Sequence, residues 1–297
     1  MKLLEGVYSA IFSVYDENLN VKRDTVNKLV EYQLEGGLKG FYVGGNTGEC
    51  TVLPKKTRMQ MLEAVVDANA GRGQIIAHVG AGHFDEVMDL LEHANSLPID
   101  AIASLPPSLQ AYYKPNEIIE YYKILAQKSK KPVYAYVTPV LTCDVVEFAK
   151  TIAKIDNIIG LKISIPNYYM FGRVSQINDG NLNILNGPDE TMVCGLISGA
   201  DGAIGTSYNI CPKLAVSIYE AFKKGDFVKA RELQNKLNNT VITPLINGGS
   251  NLAGWKGVMS CMGFDMGHNV TPSKCLEKED LKRLKDYLDR SNFFDLI

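Results

Sequence analysis

"IIGLKISIPN", residues 158–167, reads as a buried strand with a charge in the middle of it. Apolar residues surround Gly160 and resume after Lys162. A continuous apolar run, rather than an alternation, is what a parallel strand covered on both faces requires. An unpaired ammonium in such a place costs free energy or gives up its proton. Either Lys162 reaches water at the strand's end, or the neutral amine is what the chain is built to present.

Working outward, segments of the same kind recur at 6–15, 40–45, 74–80, 101–106, 132–137, 181–187 and 202–209. Amphipathic runs separate them. "DTVNKLVEYQLEGG" takes Asp24 as its expected N-cap and stops at Gly36–Gly37; "PKKTRMQMLEAVVDANAG" has Pro54 in its first turn and Gly71 past its end. Eight strand–helix units suit a (β/α)8 TIM barrel, a fold of about 250 residues. The rival is an open doubly wound sheet. No G-x-G-x-x-G follows the first strand and no composition break interrupts the units, so closure is favoured. The expected organisation is a barrel over 1–224 with a C-terminal helical extension, helical throughout, over 225–297. No Pro/Gly/Ser-rich linker separates the two.

Composition narrows the partners. The chain of 297 residues is 46% hydrophobic and 22% charged, with a formal net charge of −2. A nucleic-acid surface would need a basic excess, so no nucleic acid is expected. No apolar stretch reaches the roughly 18–20 residues of a membrane span, so no membrane association is expected either. Glu5 and Asp16 interrupt the apolar N-terminal patch, so no cleavable leader is expected. The six cysteines form no C-x-x-C pair, which fits reduced thiols and a cytoplasmic setting.

Barrel chemistry sits at the C-terminal ends of the strands. Those positions hold "GGNTGE" (44–49), "YVTP" (136–139), Lys162 with Ser164, "NGPDE" (186–190) and "GTSYN" (205–209). An amine that burial keeps uncharged attacks a keto group and gives an imine. Once protonated, the imine draws electrons from the neighbouring carbon–carbon bond. The backbone N–H groups of "NTGE", expected to open a helix, would receive a substrate carboxylate. A tyrosine would carry the proton.

Each feature has a plainer explanation. A strand lysine can snorkel, Tyr136 can simply pack, and Asp189 and Glu190 can serve a helix's first turn. His78 and His83 hint at a metal, but a catalytic zinc needs three protein ligands and no carboxylate–histidine cluster is evident, so none is expected. "EKEDLKRLKDYLDR" (277–290) reads as a solvated helix face.

Taken together and in order, "YVGGNTGE", "IAHVG", a tyrosine three residues before Pro139, "GLKIS", "NGPDE" and "GADGAIGTSYN" resemble the pyruvate-dependent class I aldolases. That family includes dihydrodipicolinate synthase and N-acetylneuraminate lyase, and the resemblance spans essentially the whole chain. It implies that Lys162 forms a Schiff base with pyruvate, with no other cofactor, and that Tyr136 transfers the proton. It also implies that Thr47 and the backbone of Asn46–Gly48 hold the carboxylate, and that the assembly is a homotetramer built from dimers. Synthases that use aspartate semialdehyde carry an arginine five residues after the catalytic tyrosine; here that position is Leu141, which cannot hold a carboxylate bidentately. The lyase branch has a Gly-x-Asp-Glu, matched by Gly187, Asp189 and Glu190. Its acids accept hydrogen bonds from a polyhydroxyl sugar chain. Ser164 and Thr206 correspond to hydroxyl residues near that substrate. The resemblance thus implies cleavage of N-acetylneuraminate to N-acetylmannosamine and pyruvate.

The chain departs from the pattern in three ways. Asn46 replaces a hydroxyl of the proton relay. Tyr113, or Tyr112, would be the second relay tyrosine, which in the family can come from a neighbouring subunit. Pro188 and Leu252 stand where aromatics are common, along the sugar's path. Alternatives are another pyruvate aldolase, acting on aspartate semialdehyde or a 2-keto-3-deoxy sugar acid, and a barrel that has lost catalysis, suggested only by Asn46.

Overall fold

The computed structural model describes residues 3–107, 113–139, 141–247, 252–291 and 293–296. Eight strands form a closed barrel in chain order. They are β1 (Gly6–Ala10), β2 (Gly40–Val43), β3 (Gln74–His78), β4 (Ala101–Ser104), β5 (Val133–Val137), β6 (Ile158–Ile163), β7 (Asn183–Asn186) and β8 (Gly202–Gly205). All eight neighbouring pairs are parallel, β8 closing on β1 through Val7 and Ala203. Helices follow the strands: α1 (Arg23–Glu35), α2 (Lys55–Asn69), α3 (Phe84–Asn95), α4 (Pro115–Lys128), α5 (Val145–Ile152), α6 (Tyr168–Ser175), α7 (Met192–Ile197) and α8 (Pro212–Lys223).

Alternation along the strands divides the apolar residues into two clusters. Outward residues such as Phe41, Ile75, Ile102, Leu161 and Ile184 pack beneath the helices in the large outer core. Inward residues, among them Tyr8, Tyr42, Ile76, Ala103, Tyr134, Tyr136, Leu185 and Ile204, fill the barrel itself. At its floor the Tyr134 hydroxyl donates to Asn183 Oδ1, and Asn183 Nδ2 donates to the Leu4 carbonyl (3.0 Å) and to Asp201 Oδ2 (2.7 Å). The floor is therefore closed and polar-satisfied, and the opposite end is left for chemistry.

Four further helices follow the barrel: α9 (Phe227–Leu237), α10 (Thr243–Asn247), α11 (Leu252–Cys261) and α12 (Lys278–Arg290). A π-helical turn, Asn238–Ile242, joins the first two. The expectation of helix throughout this region fails between α11 and α12. Residues 263–277 carry no helix, and they hold two positive-φ glycines, Gly263 and Gly267, and a cis Thr271–Pro272 bond. The first strand is also shorter than its apolar run. After Ala10 the chain leaves the sheet, and Tyr15 bridges to Val21 and Gly267 instead. Asp24 is not the cap of α1: the helix begins at Arg23, and Asp24 sits in its first turn, where a carboxylate favours the dipole.

Gly160, two residues before Lys162, is there for space. A Cβ on it would lie 2.2 Å from the Asn183 carbonyl oxygen and 2.4 Å from the Tyr134 ring. Gly160→Ala should therefore lower unfolding free energy by about 1–3 kcal/mol, the usual cost of overpacking. Denaturant titration measures this, and an unchanged midpoint would contradict the packing described.

Candidate active site

β6 delivers Lys162 into the upper barrel, opposite its register partner Tyr136 on β5. Lys162 is 5% exposed, so it does not snorkel. Its Nζ lies 4.2 Å from the ring centroid of Tyr136 and 4.3 Å from that of Tyr42. No carboxylate among the described residues comes within ion-pairing distance of it. The two aromatic faces are its electrostatic support, worth about 2 kcal/mol each when water is excluded. Tyr42 was not foreseen as a site residue. Its hydroxyl is buried without a partner, and burial first, then Tyr136, pushes it well above the usual phenol range.

Above the amine lies the turn after β2. The expectation that "NTGE" opens a helix is wrong. Residues 46–52 form successive turns, and α2 starts only at Lys55. Pro54 accounts for this, because it keeps Leu53 out of the helical region. The turn closes through Glu49 N–H to the Asn46 carbonyl (3.0 Å) and Cys50 N–H to the Gly45 carbonyl (3.1 Å), with Glu49 itself at φ 62°. The N–H groups of Asn46, Thr47 and Gly48 make no hydrogen bond within the described residues. They are free to bind an anion, from a turn instead of a helix end. Thr47 Oγ1 is 2.7 Å from Thr206 Oγ1, which ties this turn to the one after β8. The Asn46 side chain is exposed, and its Oδ1 accepts from Cys50 Sγ (3.5 Å).

The Tyr136 hydroxyl has a different neighbour, Ser164, whose Oγ donates to it at 3.3 Å. Gly187 keeps that hydroxyl in place, since a Cβ there would fall 1.9 Å from Ser164 Oγ. One residue on, Pro188 is buried, and the acids follow. Asp189 Oδ2 accepts the Ser207 N–H (2.7 Å), and its other oxygen is unbonded within the described residues. Gln234 and Asn238 hold the carbonyls of Asp189 (3.0 Å) and Glu190 (2.8 Å), so the helical extension positions both acids. Desolvation, reinforced by the charge of Asp189, pushes the Glu190 carboxyl up. Leu141 packs in the outer core, and its N–H closes the turn after β5 on the Thr138 carbonyl (3.0 Å). Leu252 is half-buried against the same core.

Tyr113 stands apart from this cluster. It is 43% exposed and lines a groove of about 350 Å³ with Phe84, Pro107 and Tyr121. Its hydroxyl bonds neither Asn46 nor Tyr136. Tyr112 lies outside the described residues. His78 has both ring nitrogens committed to backbone, Nδ1 to the Gly44 carbonyl (2.9 Å) and Nε2 accepting the Leu105 N–H (3.0 Å). That pairing requires the neutral Nδ1–H tautomer. Burial, then the charges of Arg58 and Lys162, pull its pKa far down. Among the described residues no group of three His, Cys, Asp or Glu side chains is arranged to hold a metal ion.

The family model described as the dihydrodipicolinate synthetase family matches residues 3–291. The chain belongs to that family. Among its relatives, an N-acetylneuraminate lyase of Rhizobium meliloti is 32% identical over 285 residues, covering 95% of this chain and 94% of the relative. An Escherichia coli protein named N-acetylneuraminate lyase 2 is 34% identical over 264 residues, 88% of this chain and 85% of its own. The solved structure of Proteus mirabilis N-acetylneuraminate lyase superposes with a TM-score of 0.90 at 27% identity, covering 99% of this chain and 100% of the other. Family membership brings the Schiff-base aldolase class with it.

One consequence of the site concerns stability alone. Tyr42→Phe removes a buried hydroxyl that has no partner, so unfolding free energy should stay level or rise by about 1 kcal/mol. A fall of that size in a denaturant titration would mean that the hydroxyl is paired.

Proposed function

We propose that this protein is a Schiff-base aldolase that reversibly cleaves N-acetylneuraminate to N-acetylmannosamine and pyruvate. One observation carries the reading: a lysine amine buried between two aromatic faces, with no counter-charge in reach. Such an amine is held dry inside the barrel and is placed to attack the carbonyl carbon of a keto acid. In the open-chain sugar acid, Lys162 Nζ adds to C2 and water leaves. The resulting iminium keeps the cation–π support of Tyr42 and Tyr136. The C4 hydroxyl then gives up its proton, the C3–C4 bond breaks, and the bonding pair moves into the iminium to form an enamine. Tyr136, left as a phenolate after giving its own proton to the departing water, takes that proton, with Ser164 donating to its oxygen. N-acetylmannosamine leaves as the aldehyde, the enamine is protonated at C3, and water releases pyruvate.

The unbonded N–H groups of Asn46, Thr47 and Gly48 receive the carboxylate throughout. Asp189 and Glu190 accept from sugar hydroxyls, with Thr206 and Ser164 beside them, and Gly187 leaves room for the chain. Leu141 speaks against aspartate semialdehyde, because nothing at that position binds a second carboxylate. Tyr113 would serve the relay of a neighbouring subunit in a homotetramer. Its exposure beside the apolar groove and the exposed Phe84 supports that assembly. The free thiols fit a cytoplasmic setting.

Incubation with millimolar N-acetylneuraminate should release pyruvate, read by coupled lactate dehydrogenase; no pyruvate would remove the proposal. Lys162→Ala should keep the fold and lose about 10³-fold or more in kcat. Borohydride with pyruvate should add mass at Lys162 in the parent and none in the variant. Light scattering should give about four times the chain mass of 32.7 kDa; a monomer would leave Tyr113 without a site to serve.

A further inference from the structure

The mechanism leaves one buried ion pair unused. Lys256, on α11, is 3% exposed, and Glu49, the last residue of the "NTGE" turn, is 6% exposed. Lys256 Nζ is 2.7 Å from Glu49 Oε1 and also donates to the His268 carbonyl (3.2 Å). The Tyr15 hydroxyl donates to Glu49 Oε2 (2.5 Å), accepts the Val270 N–H (3.2 Å), and places its ring 4.5 Å from the ammonium. Beside this network, Ser13 Oγ donates to the Gly48 carbonyl (2.9 Å).

Glu49 is thus an acid fixed one residue beyond N–H groups read as binding a carboxylate. Left unpaired, it would repel that carboxylate through low-dielectric protein. A surface salt bridge could not be trusted for this, but a dry one is little screened. We infer that Lys256 is a positioning residue of the keto-acid site. By neutralising Glu49 and fixing its side chain, the helical extension holds the turn after β2 ready for an anion. The inference rests on the reading of that turn as the carboxylate site, and it assigns a task to a part of the chain outside the barrel.

The test is borohydride trapping at Lys162, in which hydride adds to the imine carbon and leaves a stable secondary amine. Two ketones are compared: pyruvate, and hydroxyacetone, which has no carboxylate. Parent protein that is not trapped by pyruvate overturns the function itself. In a trapped parent, Lys256→Met should raise the pyruvate concentration for half-labelling about tenfold or more, the effect of one uncompensated nearby charge, and leave hydroxyacetone labelling within about twofold. A general loss of packing would weaken both ketones alike and overturn the inference, as would no change with pyruvate. The double variant Glu49→Gln/Lys256→Met removes both charges and should return pyruvate labelling to within a few-fold of the parent. If the single variant does not fold, the double variant decides: parent-like preference for pyruvate over hydroxyacetone upholds charge neutralisation as the task of Lys256, and lost preference overturns it.

Discussion

A lysine nitrogen held out of water, with only the faces of two tyrosines for company, is the constraint around which the rest of this chain is arranged. Keeping it dry requires a closed barrel, since an open sheet would expose one flank of β6. Keeping it uncompensated requires that no acid approach, so the carboxylates of the mouth, Asp189 and Glu190, are placed on the turn after β7 and tied by their own backbone to Gln234 of α9 and to Asn238 just past it. Close by, His78 spends both nitrogens on backbone, and burial pushes the Tyr42 phenol well above its usual range. The amine faces π-clouds and dipoles, against which a charge that appears and vanishes during turnover costs little reorganisation.

The site is shared between elements of different stiffness. Strands carry the groups proposed to react, Lys162 and Tyr136, locked in register by the β5–β6 ladder. Turns carry the groups proposed to bind substrate, and each turn is pinned by a long-range bond. Thr47 meets Thr206 across the mouth, Ser207 meets Asp189, and Glu49 meets Lys256. Two of the pinning helices, α9 and α11, come after the barrel is complete, so the extension contributes to the mouth as well as to the outer core.

Much of this was legible in the sequence because hydrophobic period and strand-end position are local properties. "IIGLKIS" reads as a buried strand on its own, and "NGPDE" announces a turn with acids. The features that were missed depend on chain segments far apart. Tyr42 looks like one more strand aromatic until closure brings β2 within reach of Lys162; its inward register was the available hint. Lys256, a lone cation in the apolar "NLAGWKGVM", posed the same question as Lys162, but its answer, Glu49, lies 207 residues away. "NTGE" was read as a helix start, and the competing effect of Pro54 on Leu53 decided otherwise. Asn46 stands where the resemblance led one to expect a hydroxyl, and the Tyr136 hydroxyl is met instead by Ser164, just past the end of β6.

The most direct test is a crystal structure of the protein soaked in pyruvate. Continuous density should run from Lys162 Nζ to the C2 carbon of the keto acid, between the rings of Tyr42 and Tyr136, with its carboxylate on the N–H groups of Asn46, Thr47 and Gly48. An unmodified lysine turned toward bulk solvent, with pyruvate absent from the barrel at saturating concentration, would contradict the account.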